Sequence, residues 1–167
     1  IAAGGSQSDD LACAIRATSG AVVCWPYYNY EATPPPSVDG TAGTASAISA
    51  GSLHACAIQA GTGAVVCWGH DYWGQASPPP SVDGTAGTAV AIAAAGSSTC
   101  AIQAGTGAVV CWGAIARGDP FMSGRPPALP PRSVDGTDGS ATAIAVGTLR
   151  ACAIQAGTQA VVCWGYD

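Results

Sequence analysis

The chain has 167 residues, of which 49% are hydrophobic but only 7% aromatic and 9% charged; it has no Lys, and five Arg face ten acids for a net charge of -5. So acidic a chain lacks the basic surface that phosphate neutralisation needs, which argues against nucleic acid as a partner. No run of 18 apolar residues is present to span a bilayer. The chain does not open on a basic segment followed by an apolar one, so any signal peptide is expected to have been removed already. Much of the apolar fraction is Ala, which adds little burial per residue.

In chain order, a short apolar run (Ile1-Ala-Ala-Gly4) precedes the segment Cys13-Ala-Ile-Arg-Ala-Thr-Ser-Gly-Ala-Val-Val-Cys24-Trp25. An aromatic stretch follows (Tyr27, Tyr28, Tyr30), then Pro34-Pro35-Pro36-Ser-Val-Asp-Gly-Thr. The order then repeats. Ala47-Ile48-Ser-Ala-Gly51 leads to Cys56…Cys67-Trp68-Gly69, then His70-Asp71-Tyr72-Trp73, then Pro78-Pro79-Pro80-Ser-Val-Asp-Gly-Thr. A third copy carries Ala91-Ile92, Cys100…Cys111-Trp112 and, after a longer segment, Pro130-Pro131-Arg-Ser-Val-Asp. A fourth carries Ala143-Ile144 and Cys152…Cys163-Trp164, and the chain stops where the next linker would begin. Self-similarity at this period marks a repeat architecture. We set the repeats at 1–45, 46–89, 90–141 and a truncated 142–167 of a single array.

The eight cysteines form four pairs, each eleven positions apart. An even count at fixed spacing reads as a disulfide framework and an oxidising, extracellular compartment. Zinc knuckles need short C-x2–4-C spacings, and none occurs, so no metal and no cofactor is expected. The spacing suits a bond across a hairpin. With Cys56 opposite Cys67, Ile58 faces Val65, Gln59 faces Ala64, and Ala60–Gly63 form a four-residue loop. That loop length puts the cysteines in a non-hydrogen-bonded pair, where side chains come closest. Its last position calls for left-handed backbone, which suits Gly20, Gly63 and Gly107. The fourth copy has Gln159 there, so its loop should be strained or different.

Each repeat offers three strands, with a fourth, short one conceivable at Ser-Val. Cys56, Ile58, Val65 and Cys67 share one hairpin face; Ala57, Gln59, Ala64, Val66 and Trp68 share the other. Both faces are largely apolar, as in a sheet covered on both sides by neighbouring sheets. The expected class is all-β, four blade-like sheets with one intra-hairpin disulfide each: Cys13–Cys24, Cys56–Cys67, Cys100–Cys111 and Cys152–Cys163.

The phrase Ala50-Gly51-Ser-Leu-His54-Ala-Cys56-Ala-Ile58, followed by Cys67-Trp68-Gly69 and Gly74-Gln75, resembles the RCC1 repeat. The resemblance covers essentially the whole chain and implies a β-propeller blade per repeat. The family's His is present only at His54, with Leu11, Ser98 and Arg150 as its counterparts, and its Gly-Gln only at Gly74-Gln75. The exchange-factor activity of the founding member goes with a complete nuclear propeller; paired cysteines argue against that compartment, and the activity is not carried over.

Of the recurring residues, the Trp are expected to pack beside the disulfides, the Asp of Val-Asp-Gly-Thr to make turns, and Gln59, Gln103 and Gln155 to make cross-strand pairs. The segments after each Trp vary most, and variable loops on a fixed scaffold carry binding residues; Tyr27, Tyr28, Tyr30, Tyr72 and Trp73 are the candidate binding surface. His54 and His70 have no acid partner or nucleophile placed beside them by the sequence, so the expected chain is not an enzyme. Pro34, Pro35, Pro36, Pro78, Pro79, Pro80, Pro130 and Pro131 favour polyproline II and are candidate sites of O-linked glycan. The arc of blades could close on itself, belong to a longer chain, or stack head to tail. The leading expectation is an extracellular structural protein that builds a surface layer or filament by stacking on its own copies. The alternative is a soluble lectin-like or protein-binding propeller, with carbohydrate a candidate ligand.

Overall fold

The computed structural model describes residues 1–6, 9–26, 33–117 and 126–166, with side chains described except at 3–6, 9, 10 and 26. Four three-stranded antiparallel sheets follow one another along the chain. They are β1 (Ala2–Ser6), β2 (Asp9–Ile15), β3 (Val22–Pro26); β4 (Ala45–Ala50), β5 (His54–Gln59), β6 (Val65–Gly69); β7 (Ala89–Ala95), β8 (Ser98–Gln103), β9 (Val109–Gly113); and β10 (Ala141–Val146), β11 (Arg150–Gln155), β12 (Val161–Gly165). We call them blades 1 to 4. A single helical turn, α1 (Ala114–Arg117), follows β9 and was not anticipated from the sequence. Ile115 on it is buried in the core between blades 3 and 4, so this insertion packs rather than merely linking.

The second and third strands pair in the expected register. Cys13 faces Cys24, Cys56 faces Cys67, Cys100 faces Cys111, and Cys152 faces Cys163. All four pairs are disulfides, with Cα atoms 4.0–4.1 Å apart, the close spacing of a non-hydrogen-bonded pair. The loop closes as its length requires: Gln59 N donates to Ala64 O and Gly63 N to Gln59 O. The last loop residue has φ of +70°, +74° and +69° at Gly20, Gly63 and Gly107, and Gln159 adopts the same left-handed backbone at +60°. The fourth hairpin is therefore not different in shape; it carries the strain instead.

Ser-Val is not a fourth strand. Val38, Val82 and Val134 sit in turns and are buried, and the carbonyl of each accepts from the first residue of the third strand: Val22 N, Val65 N and Val109 N. The preceding prolines do not run on as free polyproline II. The Pro35 carbonyl accepts from Val38 and Asp39, and Pro79 and Pro131 repeat this, so each linker folds back as one turn. Pro lacks a donor but keeps its carbonyl, which suits it to this position. Gly43, Gly87 and Gly139 complete the turn where an added Cβ would lie 2.3–2.4 Å from a Ser carbonyl oxygen.

Blades stack with unlike faces in contact. Cys56, Ile58 and Val65 of blade 2 pack on Ala101 and Trp112 of blade 3, with Val82 in the seam. Cys13 and Val22 of blade 1 meet Ala55, Ala57 and Trp68 of blade 2 around Val38, and Cys100, Ile102 and Val109 of blade 3 meet Ala151, Ala153 and Trp164 of blade 4 around Val134. Trp68, Trp112 and Trp164 thus pack beside the disulfide of the preceding blade, not of their own. Backbone bonds tie the same joints: Ala45 N, Ala89 N and Ala141 N donate to the loop carbonyls of Gly20, Gly63 and Gly107.

Candidate functional site

The aromatic loop after β6 is held in place by a set of hydrogen bonds. Gly69, at φ +97°, turns the chain off the strand, and His70 N donates to Leu53 O. Asp71-Tyr72-Trp73-Gly74 then makes a turn closed by Gly74 N donating to Asp71 O at 3.0 Å. The Asp71 carboxylate accepts from Ala76 N at 2.7 Å and from Ser77 Oγ at 2.6 Å, which holds the outgoing chain.

Gln75 anchors this loop from beneath. It is buried, and its Oε1 accepts from Trp73 N at 2.8 Å while its Nε2 donates to His70 Nδ1 at 3.2 Å. Its backbone carbonyl accepts from Trp112 Nε1 at 2.9 Å and from Thr99 Oγ1 at 3.3 Å, both on blade 3. Thr99 Oγ1 also lies 2.7 Å from Nε2 of His54. One buried polar chain therefore runs from β5 through the loop to β8 and β9. His54 is fully buried; burial pushes its pKa down to about 4, the Asp71 carboxylate opposing this and His70 adding to it. The imidazole is thus neutral near pH 7, and its Nδ1 has no partner among the described residues. Gly51 is required here, since a Cβ would lie 2.2 Å from His54 Cε1.

Above this base stand the aromatic side chains. Tyr72 is 65% exposed and meets the edge of Trp73 at 5.1 Å between centroids, 84° between planes. His70 stacks on Tyr72 at 6.3 Å and 23°. Such edge-to-face geometry fixes ring orientation. Arg117 of α1 lies over Gly74, close enough that a Cβ there would fall 2.8 Å from the guanidinium. The structure thus brings Tyr72 and Trp73 together. Tyr27, Tyr28 and Tyr30 lie outside the described residues. The sequence reading missed Gln75 and Thr99 as the supports of this surface. The isolated Gly-Gln and His of copy two were the available signal.

The other recurring residues are structural. Asp39, Asp83 and Asp135 each accept from the backbone N of the Thr two residues on, at 2.7–2.8 Å, a turn that the sequence predicts. Hydrogen bonds from those Thr residues lower all three carboxyl pKa values. Gln59, Gln103 and Gln155 sit cross-strand, opposite Ala45, Ala89 and Ala141, and the Gln59 and Gln103 amides also donate to the Ser37 and Ser81 carbonyls of the preceding linkers, at 3.3 and 2.9 Å. No cluster of three metal-ligating side chains occurs among the described residues, and no described helix is long and apolar enough to cross a membrane.

No family model and no curated protein matches the sequence. Solved structures do match the fold. The ectodomain of the Physcomitrella patens receptor kinase CR4 aligns over 98% of this chain and 39% of its own at 23% identity, TM-score 0.69. The CRINKLY WD40 ectodomain of the Arabidopsis thaliana receptor kinase ACR4 aligns over 98% and 48% at 22% identity, TM-score 0.63. Yeast RCC1 (Prp20), solved bound to Kap60, aligns over 99% and 43% at 15% identity, TM-score 0.61. The chain therefore spans half or less of the propellers it resembles. Successive three-stranded sheets, face-to-face stacking and superposition on these propellers together define the fold: four blades of the RCC1-like propeller type, each clipped by one disulfide.

Proposed function

We propose that the chain is a secreted or cell-surface recognition module that binds a protein partner through the aromatic loop of blade 2. The observation that carries this reading is the exposed Tyr72 locked against Trp73 on a loop whose base, Gln75, is bonded into the core. A rigid aromatic contact loses little side-chain entropy on binding, which is why Tyr and Trp dominate binding hot spots. Four disulfides fit an oxidising compartment. Two of the structural neighbours are receptor ectodomains and a third is a protein complex, which supports the same reading. The test is binding to cell-surface proteins of the source by the intact chain and by Tyr72→Ala and Trp73→Ala. Each variant should weaken binding at least ~10-fold, with disulfides and melting temperature unchanged. Unchanged affinity in both would remove the proposal.

A second reading is a building block that stacks head to tail on its own copies, with the apolar side chains on the outer faces of blades 1 and 4 as its contacts. Trp25 is 58% exposed on the first and Val161 68% on the last. Along its edge, the linkers are read as carriers of O-linked glycan, for which the exposed Pro36 and Pro80 are the accessible positions. An intact mass equal to the bare 16.2 kDa chain would eliminate that glycan.

A further inference from the structure

The helical turn α1 is anchored to blade 3 and carries a cation across to blade 2. Ile115 is fully buried in the core between blades 3 and 4. Its backbone N donates to Ser98 Oγ at 3.1 Å, and that hydroxyl donates in turn to the Thr148 carbonyl at 2.7 Å. Ala114 N donates to Ser97 O, and Ala128 N to Ile115 O, so the chain is held on entering and on leaving the insertion. Two residues beyond Ile115, Arg117 is exposed, with its guanidinium over Gly74 of the aromatic loop. The missing side chain at 74 leaves this room: a Cβ there would fall 2.8 Å from Arg117 Nη2. Gly74 directly follows Tyr72 and Trp73, so a blade 3 cation sits beside the turn that carries two blade 2 rings. Arg117 forms no ion pair with a described residue; the ion pair found among them is Arg132–Asp138, at 3.1 Å. The acid of the same loop, Asp71, has both carboxylate oxygens accepting already, from Ala76 N and Ser77 Oγ.

We infer that this two-blade surface takes an acidic peptide segment of the partner, in which an Asp or Glu carboxylate engages Arg117 while a neighbouring flat or apolar side chain lies on Tyr72. The inference rests on the recognition reading above and goes beyond it by assigning Arg117 and the chemistry of the partner. A planar guanidinium matches a carboxylate through two parallel N–H···O bonds, so it reads shape as well as charge. Tyr supplies contact area at low entropy cost, and Arg and Tyr are residue types in which binding energy concentrates. The chain's net charge of -5 gives an acidic segment no general attraction, so selection falls to this local cation. A neutral sugar could stack on Tyr72 but would leave Arg117 without a counter-charge.

The experiment titrates the immobilised, unreduced chain with two defined probes: the soluble random copolymer poly(Glu,Tyr) and the neutral polysaccharide dextran. Parent, Arg117→Gln, Arg117→Lys and Tyr72→Ala are compared, and the same variants enter the cell-surface binding assay above. Arg117 and Tyr72 are both exposed, so the changes leave the fold intact, which melting of each variant verifies. The expected result is that poly(Glu,Tyr) binds the parent, and that Arg117→Gln and Tyr72→Ala each weaken it at least ~10-fold. Arg117→Lys should fall between parent and Arg117→Gln, because an ammonium keeps the charge and loses the fork. Absent binding of poly(Glu,Tyr), or binding indifferent to Arg117→Gln, would overturn the inference. Dextran bound through Tyr72 and indifferent to Arg117 would overturn it in favour of a sugar. In the cell-surface assay, a loss in Tyr72→Ala with none in Arg117→Gln would overturn the acidic partner and leave the recognition module standing. No loss in either, or in Trp73→Ala, would remove both.

Discussion

At the scale of single residues, the repeat is uniform in its cysteines and uneven in its polar contacts, and the unevenness has consequences. Trp112 Nε1 donates to the Gln75 carbonyl, whereas Trp68 and Trp164 Nε1 are buried without a partner among the described residues. The difference traces to the preceding blade, because only copy two retains Gly-Gln after its Trp. Burying a paired N–H is near neutral, but burying an unpaired one costs about 1–3 kcal/mol. Trp112→Phe should therefore destabilise by about 1–2 kcal/mol more than Trp68→Phe, measured by denaturant unfolding without reductant. His54 makes a second case. Its folded pKa of about 4 lies below the ordinary 6.5 because burial disfavours the imidazolium. Above pH 6.5 the ring is neutral in both folded and unfolded chains and carries no penalty. As pH falls from 6.5 to 4 the unfolded chain takes up the proton first, and stability is lost across that window, on the order of 3 kcal/mol. Unfolding free energies at pH 7 and pH 4 should show this loss in the parent and a smaller one in His54→Gln.

At the scale of the element, the hairpin is the conserved unit of construction, and one loop position tests it. Gln159 is held at φ +60°, where its three counterparts are Gly. Left-handed backbone costs an ordinary residue roughly 1 kcal/mol more than Gly. Gln159→Gly should stabilise the fourth blade by about that amount, seen as a higher denaturant midpoint with the slope unchanged. Gly63→Ala should do the reverse, since it adds the same strain and brings a Cβ within 3.2 Å of Thr88. The linker element works differently. Its Pro, Val and Gly each do one job: a carbonyl acceptor, a buried plug between blades, and a close approach to the Ser carbonyl. Hairpin pairing was readable because the disulfide spacing and loop length leave one register. At Ser-Val the sequence left a short strand open as an alternative, because a buried Val looks the same in a strand and in a turn.

At the scale of the whole molecule, stability should be graded along the array, since each blade packs mainly against its neighbours. In β12 the residues alternate exposed and half-buried, while β6 and β9 each bury Val and Trp. Hydrogen exchange of the single-chain form should show the amides of β12 exchanging faster than those of β6 and β9. Equal protection in all three would contradict nearest-neighbour stacking. By itself the sequence determined the all-β class, the four repeats, the four disulfides, the hairpin register and the left-handed loop position, because each follows from spacing along a short stretch of chain. Only the tertiary structure decided which face of each blade meets which, that Trp68, Trp112 and Trp164 pack on the previous blade's disulfide, and that Gln75 and Thr99 brace the aromatic loop. Those contacts join residues 24 to 45 positions apart across two apolar faces that look equally buried in one dimension. The choice between them is made by how the small Ala surface and the large Trp ring fill the space between neighbouring sheets.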